Sequence, residues 1–549
     1  MFLSIEIDDF RHLCTKNGTQ DYPHRKSVGE KVGTPFAYSA IMIGTTYSAG
    51  IFGFEASLIK VEVDIANGLP SWQMVGLPEK GVQESRDRVH AALRNSGIHL
   101  EARKTTINLA PATQKKSGTQ YDLPIAFALL AAHGVLQKPL TSFLFVGELS
   151  LTGELKSIQG TLLFSLLARQ KKIEALICPK ANAQEARLIK EVEVIGCVHI
   201  AEVLEFIQHQ KRPSMEPVFE KIKGTEAERL DLSDVKGQVF AKRGLEIAAA
   251  GGHHMIMMGP PGSGKTMLAN RFPMILPILT EEQIFETSKI YSALGLLDPQ
   301  RPLIDTPPIR SPHHSISYAG LIGGGDGLLA PGEITLAHNG VLFLDELPEF
   351  RRDSLQMLRQ PLESGFVTIT RAKGRLKLPA RFQMIAALNP CKCGYLGHPH
   401  RHCVCAPGHV FQYRRKISGP LLDRIDLHVE VTVPTEKDIF DNIPNEKSMQ
   451  ILERVLRARE FQYPRFKDLK IVCNAQIPAK WLRHYCPMTD EAARFFRKTF
   501  PALKISVRAH DKILKIARTV ADLEGKEMMS TQHIAEAIQY RSLDREGEF

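Results

Sequence analysis

The chain has 549 residues, of which 43% are hydrophobic and 24% charged, and this composition excludes a largely disordered or fibrous protein. No apolar run reaches the roughly eighteen residues of a membrane-spanning helix, and nine cysteines, an odd number, fit a reduced compartment better than a disulfide framework. We therefore expect a cytoplasmic protein. Its net charge of +10 permits a polyanionic partner without requiring one.

The first half of the chain predicts an α+β domain. Residues 1–41 show no periodicity, and we expect them to be poorly ordered and dispensable. From Met42 to residue 207, apolar alternation and helical spacing predict strands over 58–65, 105–109, 143–146 and 175–178, and helices over 82–95, 123–132 and 161–170. Residues 208–229 contain two prolines, lack apolar periodicity and are predicted to form a linker.

The second half predicts a parallel sheet followed by helices. Between 230 and 434 a helix over 241–250, a strand over 255–258 and a glycine-rich turn precede apolar strands over 341–344 and 384–388, which is typical of an α/β fold with flanking helices. From 435 to 549 strands disappear, and the periodic segments 445–461, 489–499, 506–524 and 531–541 predict an all-helical domain.

One glycine-rich segment predicts a phosphate site. It matches GxxxxGK[ST] between a predicted strand and a helix, and consists of Gly259, Pro260, Pro261, Gly262, Ser263, Gly264, Lys265 and Thr266. Backbone N–H groups of such a loop surround phosphate oxygens at a helix N-terminus, while Lys265 neutralises phosphate charge and Thr266 ligates Mg²⁺. The sequence therefore predicts that ATP and Mg²⁺ bind here.

Polar residues follow two later apolar strands. Asp345 and Glu346 follow the strand over 341–344, and Asn389 follows the strand over 384–388. Parallel strands deliver such residues to one edge of the sheet. There Asp345 would hold Mg²⁺ through water, Glu346 would orient the attacking water and Asn389 would position it, which predicts hydrolysis in addition to binding.

These motifs resemble those of AAA+ ATPases. The segment Arg310-Ser-Pro-His-His-Ser, the glycines at 323–325 and the stretch 331–350 resemble the Mg chelatase-like branch, and within it the chain from Met42 resembles the YifB/ComM family. The resemblance implies a Lon-protease-like N-terminal domain, an AAA+ core and a helical lid. It also implies a hexameric, ATP-driven helicase that promotes branch migration on single-stranded or branched DNA during recombination and natural transformation.

The resemblance assigns roles residue by residue. Lys265 and Thr266 match Walker A, Asp345 and Glu346 match Walker B, and Asn389 matches sensor 1. Arg424 matches an arginine finger presented to the neighbouring subunit, with a surface salt bridge as the alternative, and Arg508 matches sensor 2. Three basic residues after it are expected to form a solvated face: Lys512, Lys515 and Arg518.

Two strands over 366–378 predict a hairpin before sensor 1. It carries Arg371, Lys373, Arg375 and Lys377. In rings of this clade the hairpin faces the central pore, so these residues would bind DNA phosphates without reading sequence, although a solvated basic surface is the alternative. The insert over 312–327 resembles the helix-2 insert of this clade, and we expect it to form a second pore loop.

Four cysteines crowd together after Asn389. Cys391, Cys393, Cys403 and Cys405 supply two pairs of thiolates, which could complete a tetrahedral zinc site, with unmetallated thiols as the alternative.

In the N-terminal domain two segments resemble the dyad motifs of Lon proteases, but Gln120 and Leu162 occupy the positions of the nucleophile and the lysine. A protease is therefore disfavoured, since covalent catalysis needs both groups.

Two alternatives to a DNA motor remain open. A magnesium-chelatase-type subunit would use the same ATPase motifs to remodel a protein client. A nucleotide-regulated scaffold would require damaged hydrolytic residues, and the expected ones are intact.

Overall fold

A computed structural model of the chain describes residues 43–214, 230–324, 331–371, 374–436, 438, 445–467, 469, 471–503 and 506–544. The predictions for residues 1–41 and for most of the linker over 208–229 lie outside these ranges. The side chains of Arg371 and Arg375 and the whole of Lys373 also lie outside the described part.

The N-terminal part contains a seven-stranded mixed sheet in the order β3-β4-β2-β1-β5-β8-β9. Alternation explains its long strands, because Ile59, Val61 and Val63 of β2 are fully buried while Lys60 between them is exposed. The strands of this sheet are β1 Gly44–Phe52, β2 Glu55–Ala66, β3 Ser71–Val75, β4 Lys104–Ala110, β5 Phe143–Phe145, β8 Ala175–Pro179 and β9 Glu193–Cys197. Two short strands, β6 Glu148–Leu149 and β7 Leu155–Lys156, pair with each other outside it.

Helices cover this sheet. The helix Asp122–Ala132 has no polar face, and nine of its side chains are buried, so it forms the centre of this core. The single helix predicted over 82–95 is instead two helices that meet at Glu84. The helices of this part are Lys80–Gln83, Ser85–Asn95, Asp122–Ala132, Thr161–Lys171, Ala183–Ala186 and Ile200–His209.

The central part contains a five-stranded sheet in the order β11-β12-β15-β10-β16, and all its strands are parallel. The strands are β10 Met255–Met258, β11 Ile309–Arg310, β12 Val341–Leu344, β13 Phe366–Arg371, β14 Gly374–Pro379, β15 Gln383–Leu388 and β16 Leu427–Glu430. β13 and β14 lie between β12 and β15 in the sequence and form a separate antiparallel hairpin outside this sheet.

Helices surround the parallel sheet and follow it. Around it lie Val239–Gly251, Lys265–Arg271, Glu281–Ala293, Tyr318–Ile322, Glu333–Leu336, Arg352–Met357, Arg359–Ser364, Pro407–Arg414 and Gly419–Leu422. After it come Ser448–Arg465, Leu482–Tyr485, Asp490–Thr499, Val507–Leu523 and Thr531–Gln539. The α/β fold class with a parallel sheet and a C-terminal helical domain is therefore confirmed.

The C-terminal helices share a core with the sheet. Leu245 of the helix Val239–Gly251, Val429 of β16 and Ile513 of the helix Val507–Leu523 belong to one buried cluster. The helical part thus packs directly against the parallel sheet. Within the described ranges, no helix combines the length and the apolar character needed to cross a bilayer.

The solvated face predicted for Lys512, Lys515 and Arg518 is wrong. Arg518 is fully buried and pairs with Asp522, and Lys512 pairs with Asp426. Lys515 donates to the carbonyl oxygen of Ala475. The helix that carries these residues is enclosed by its neighbours, and the charges of Lys512 and Arg518 are compensated by buried carboxylates.

Candidate functional site

The glycine-rich loop connects β10 to the helix Lys265–Arg271, at the carboxyl end of the parallel sheet. Gly262 and Gly264 have φ values of +78° and +93°, a conformation that side-chain-bearing residues rarely adopt. At Gly259 a Cβ atom would lie 2.1 Å from the carbonyl oxygen of Val431. Glycine is thus required both for the turn and for the close approach of two backbones.

The Lys265 ammonium lies inside this loop. Its Nζ donates to the carbonyl oxygens of Gly259 and Pro260 at 2.7 and 2.8 Å, and to Oδ1 of Asn389 at 3.2 Å. Burial lowers the pKa of Lys265 to about 8. The buried Ser263 hydroxyl has no hydrogen-bond partner among the described residues. A buried cation, an unpartnered hydroxyl and a helix N-terminus together fit the phosphates of a nucleotide.

The acidic pair lies beside the loop. Thr266 donates from Oγ1 to Oδ2 of Asp345 at 2.8 Å, which places a hydroxyl and a carboxylate together as hard oxygen ligands for Mg²⁺. Glu346 follows with φ +51°, and its backbone N–H donates to Oδ1 of Asp345. Its half-exposed carboxylate takes no part in the hydrogen bond between Thr266 and Asp345.

Asn389 is brought to the same place because β15 is the immediate neighbour of β10. Its side chain accepts from Lys265, and its backbone lies beside the side-chain oxygen of Tyr413. Burial raises the pKa of Tyr413, so this phenol remains protonated. The phosphate loop, the acidic pair and Asn389 therefore form one contiguous group.

His314 also lies at this group, although the sequence analysis assigned it no role. Its Nδ1 lies 3.4 Å from Oε2 of Glu346, and its ring packs on that of His313 at 4.0 Å between centroids. The segment Arg310-Ser-Pro-His-His-Ser was a signal for this site, but nothing in the sequence pointed to Glu346 as its partner. His314 is placed to hold the glutamate.

The two predicted arginines do not join the group. Arg424 pairs with Glu363 and donates from Nε to the carbonyl oxygen of Arg359. Arg508 lies 3.8 Å from Asp423 at the start of the helix Val507–Leu523. The partners found for both arginines within the described chain lie outside its own phosphate loop.

The hairpin pairs Phe366 with Pro379 at its base and Arg371 with Gly374 next to its turn. Lys377 is exposed and lies away from this turn, with its ammonium 3.7 Å from the centroid of the Phe366 ring. The contact is a cation–π interaction at the base of the hairpin. Of the four predicted basic side chains, only that of Lys377 belongs to the described part.

The four cysteines come together. Cys391 lies 3.3 Å from Cys393 and 3.6 Å from Cys403 between sulfur atoms, and all four sulfurs lie within 4.8 Å of one another. The backbone N–H of Tyr395 bonds the Cys393 sulfur and lowers the pKa of this thiol to about 6. This group can hold a metal ion.

The two N-terminal positions predicted to match a Lon dyad, Gln120 and Leu162, supply neither a nucleophile nor a base. Gln120 donates to the carbonyl oxygen of Ser117 at 3.1 Å, and Leu162 is fully buried. The nearby Lys116 donates to the backbone carbonyls of Pro111 and Gln114, and burial lowers its pKa. Lys116 is therefore engaged by the backbone in place of a serine.

Comparisons with known proteins identify similar sequences over most of the chain. Three family models match the chain. The model described as magnesium chelatase, subunit ChlI, matches residues 231–439, and the one described as subunit ChlI of Mg-chelatase matches residues 61–182. A third, described as the C-terminal part of magnesium chelatase subunit ChlI, matches residues 445–541. The chain is 42% identical over 505 residues to the uncharacterized protein YifB of Salmonella typhimurium, covering 92% of this chain and 98% of that protein.

Two further relatives have names that refer to DNA-related processes. The chain is 41% identical over 512 residues to the competence protein ComM of Haemophilus influenzae, again covering 92% of this chain and 98% of that protein. It is 23% identical over 327 residues to the DNA replication licensing factor Mcm2 of Drosophila melanogaster, covering 55% of this chain and 32% of that protein.

Proposed function

Because the chain belongs to the YifB/ComM family of Mg chelatase-like AAA+ ATPases, we propose that it is an ATP-hydrolysing DNA motor. It acts as a cytoplasmic hexameric helicase that promotes branch migration during homologous recombination and natural transformation. The observation that carries ATP hydrolysis is the contact of Lys265 with Asn389 beside the Thr266–Asp345 pair. The similarity to a competence protein supports DNA as the substrate.

The residues of one chain divide the work of hydrolysis. Lys265 neutralises phosphate charge, while Thr266 and Asp345 hold the metal. Glu346 orients the attacking water, and Asn389, fixed between Lys265 and Tyr413, positions that water. When bound, Mg²⁺·ATP supplies the phosphoanhydride bond and the metal charge that compensates its oxygens.

Two arginines complete the site, one from a neighbouring subunit and one from the same chain. Arg424 contacts residues outside its own phosphate loop, which supports its delivery to the nucleotide of a neighbouring subunit. There a guanidinium stabilises charge on the transferring phosphoryl group and makes hydrolysis depend on assembly. Arg508, at the first turn of a lid helix, responds to the nucleotide held by its own chain.

DNA contacts fall to the β13–β14 hairpin. Phosphate binding is assigned to Arg371, Lys373 and Arg375, so DNA binding is sensitive to salt and tolerant of sequence. Lys377 contributes less, because its ammonium is engaged by the Phe366 ring. Single-stranded and branched DNA are the expected substrates.

Zinc is the metal proposed for the cysteine group. Four thiolates within 4.8 Å of one another suit a closed tetrahedral site, which is typical of structural zinc. Such an ion has no part in the chemistry of hydrolysis.

A second candidate function is that of a magnesium-chelatase-type subunit, in which ATP hydrolysis remodels a protein client. The matches of three ChlI family models favour it. This candidate shares the nucleotide site and differs in the client, so hydrolysis would not respond to DNA.

A branch-migration assay tests the proposal. A synthetic junction with one labelled strand is incubated with the protein and either ATP or a non-hydrolysable analogue. We expect strand exchange with ATP, none with the analogue and none with Glu346→Gln. A protein that hydrolyses ATP and yet leaves every junction intact at low salt would contradict the proposal.

A further inference from the structure

The segment between β15 and the helix Pro407–Arg414 leaves the nucleotide site and returns to it. It departs at Asn389 and passes the four cysteines before that helix begins. The helix that follows the loop returns to the first residues of the loop: Arg414, its last residue, donates from Nε to the carbonyl oxygen of Pro390 at 3.1 Å, and Tyr413 lies beside the Asn389 backbone. The start of the loop is therefore in contact with the end of the helix that follows it.

Two of the cysteines lie at the start of this loop and two lie near its end. Cys391 and Cys393 belong to the outgoing chain, and Cys403 and Cys405 belong to the returning chain. Four sulfurs at zinc-bond length around a tetrahedral centre would be separated by about 3.8 Å. The Cys391–Cys403 and Cys393–Cys403 separations are both 3.6 Å, close to that value. One ion would therefore cross-link the outgoing and returning chain.

The same loop also packs on the phosphate loop. Gly394 follows Cys393 with φ +83°, and a Cβ atom there would lie 2.6 Å from Cδ and 2.7 Å from Cγ of Pro261. Since real Cβ atoms do not approach this closely, the turn after Cys393 is in direct contact with the Pro261 ring of the phosphate loop. The loop thus reaches the ATP site twice, through Asn389 and through Gly394.

We propose that a zinc ion held by Cys391, Cys393, Cys403 and Cys405 fixes this loop against the phosphate loop and so sets the position of Asn389 relative to Lys265. The ion acts as a positioning component of the ATPase site as well as a structural staple. Metal binding that closes a loop stabilises that loop in one conformation. The inference rests on the proposed ATPase function and adds a metal requirement to it.

Metal content tests the site itself. Elemental analysis of the purified full chain is expected to find one zinc per chain, lost in the Cys391→Ser/Cys403→Ser variant. His402→Ala is the control, because it alters the neighbouring side chain and leaves all four thiolates. Wild-type protein without zinc, or zinc retained by the double cysteine variant, would overturn the proposal.

The coupling is tested by two glycines of the same loop. Gly394 and Gly397 have φ values of +83° and +77°, so alanine at either position carries a similar backbone strain. At Gly397, however, a Cβ atom would meet nothing within 4 Å. Both variants should keep zinc, whereas only Gly394→Ala should lower kcat for ATP hydrolysis, by about tenfold. Equal kcat values for the two would overturn the coupling.

Removal of the metal from wild-type protein completes the test without a substitution. Chelation should lower kcat about tenfold, change the affinity for a fluorescent ATP analogue less than threefold, and be reversed by added Zn²⁺. A kcat indifferent to zinc with intact stimulation by DNA would overturn this inference alone, whereas zinc dependence with no response to DNA would overturn the DNA function alone.

Discussion

Lys512 donates from Nζ to Oδ1 of Asp426 at 2.7 Å, and this ion pair joins the helix Val507–Leu523 to the segment that carries Arg424. The second oxygen of Asp426 accepts from the backbone N–H of His254. Burial alone would raise the pKa of Asp426, but the Lys512 ammonium and His253 hold it well below its ordinary value. The lid helix and the predicted finger segment are thus connected by buried charges.

Lys512→Met should destabilise the fold. It leaves Asp426 charged, buried and without its cation, at a cost of about 3 kcal/mol. Thermal unfolding followed by calorimetry should show the loss, and Asp426→Asn in the same chain should recover part of it because the stranded charge is removed. Lys498→Met, at an exposed lysine, is the control. An unchanged melting temperature for Lys512→Met would contradict the ion pair.

Nucleotide binding should take up a proton at alkaline pH. With its pKa near 8, Lys265 is mostly neutral at pH 9 without nucleotide, and phosphate binding favours the ammonium. Calorimetric titration in two buffers of different ionisation enthalpy should show uptake of about 0.9 proton per site at pH 9 and about 0.1 at pH 7. Equal uptake at the two pH values would refute the lowered pKa.

The same shift affects stability in the opposite sense to an ordinary ion pair. The folded pKa of Lys265 lies below its unfolded value of about 10.4. The nucleotide-free fold is therefore penalised at pH values below 8, and the penalty disappears as pH rises from 8 towards 10.4. Unfolding of wild-type protein compared with Lys265→Met across this range measures the contribution.

Glu346→Gln should abolish hydrolysis and preserve binding. The amide keeps the shape of the side chain but cannot take a proton from water, so the rate should fall by about 10² to 10⁴. Binding of a fluorescent ATP analogue should stay within threefold of wild type. Glu349→Gln, which changes an exposed carboxylate paired with Lys416, is the matched control and should hydrolyse ATP normally. Loss of binding in Glu346→Gln would indicate a different role.

Arg424→Ala should be rescued by mixing. If Arg424 acts on the nucleotide of the next subunit, a mixture with Lys265→Ala contains sites that combine an intact phosphate loop with an intact arginine. Such mixtures should hydrolyse ATP faster than the sum of the two separate variants. Arg415→Ala, at an exposed arginine nearby, should retain wild-type activity alone. Strictly additive rates would contradict action between subunits.

The strands and the phosphate loop could be predicted from sequence because their signals are local. Alternation marks β2, apolar runs mark β12 and β15, and the glycine spacing marks the loop before Lys265. The break at Glu84 was missed, since the apolar positions on either side keep helical spacing across it.

Long-range partners could not be predicted. Lys512 and Arg518 occupy positions whose charge alone indicates solvent, and only the packing of other helices around theirs reveals buried carboxylates as partners. The contacts of His314 with Glu346 and of Tyr413 with Asn389 likewise join residues distant in sequence. The spacing of apolar residues along the sequence does not indicate such pairs.

The most direct test of the account is Mg²⁺-dependent ATP hydrolysis with and without single-stranded and forked DNA, by wild-type protein and by the Arg371→Ala/Lys373→Ala variant. We predict strong stimulation by DNA that weakens as salt rises. The hairpin variant should lose this stimulation and keep its DNA-independent rate, whereas Lys377→Ala should lose little of it. Hydrolysis by wild-type protein that is indifferent to every DNA at low salt would contradict a DNA motor and favour a protein client.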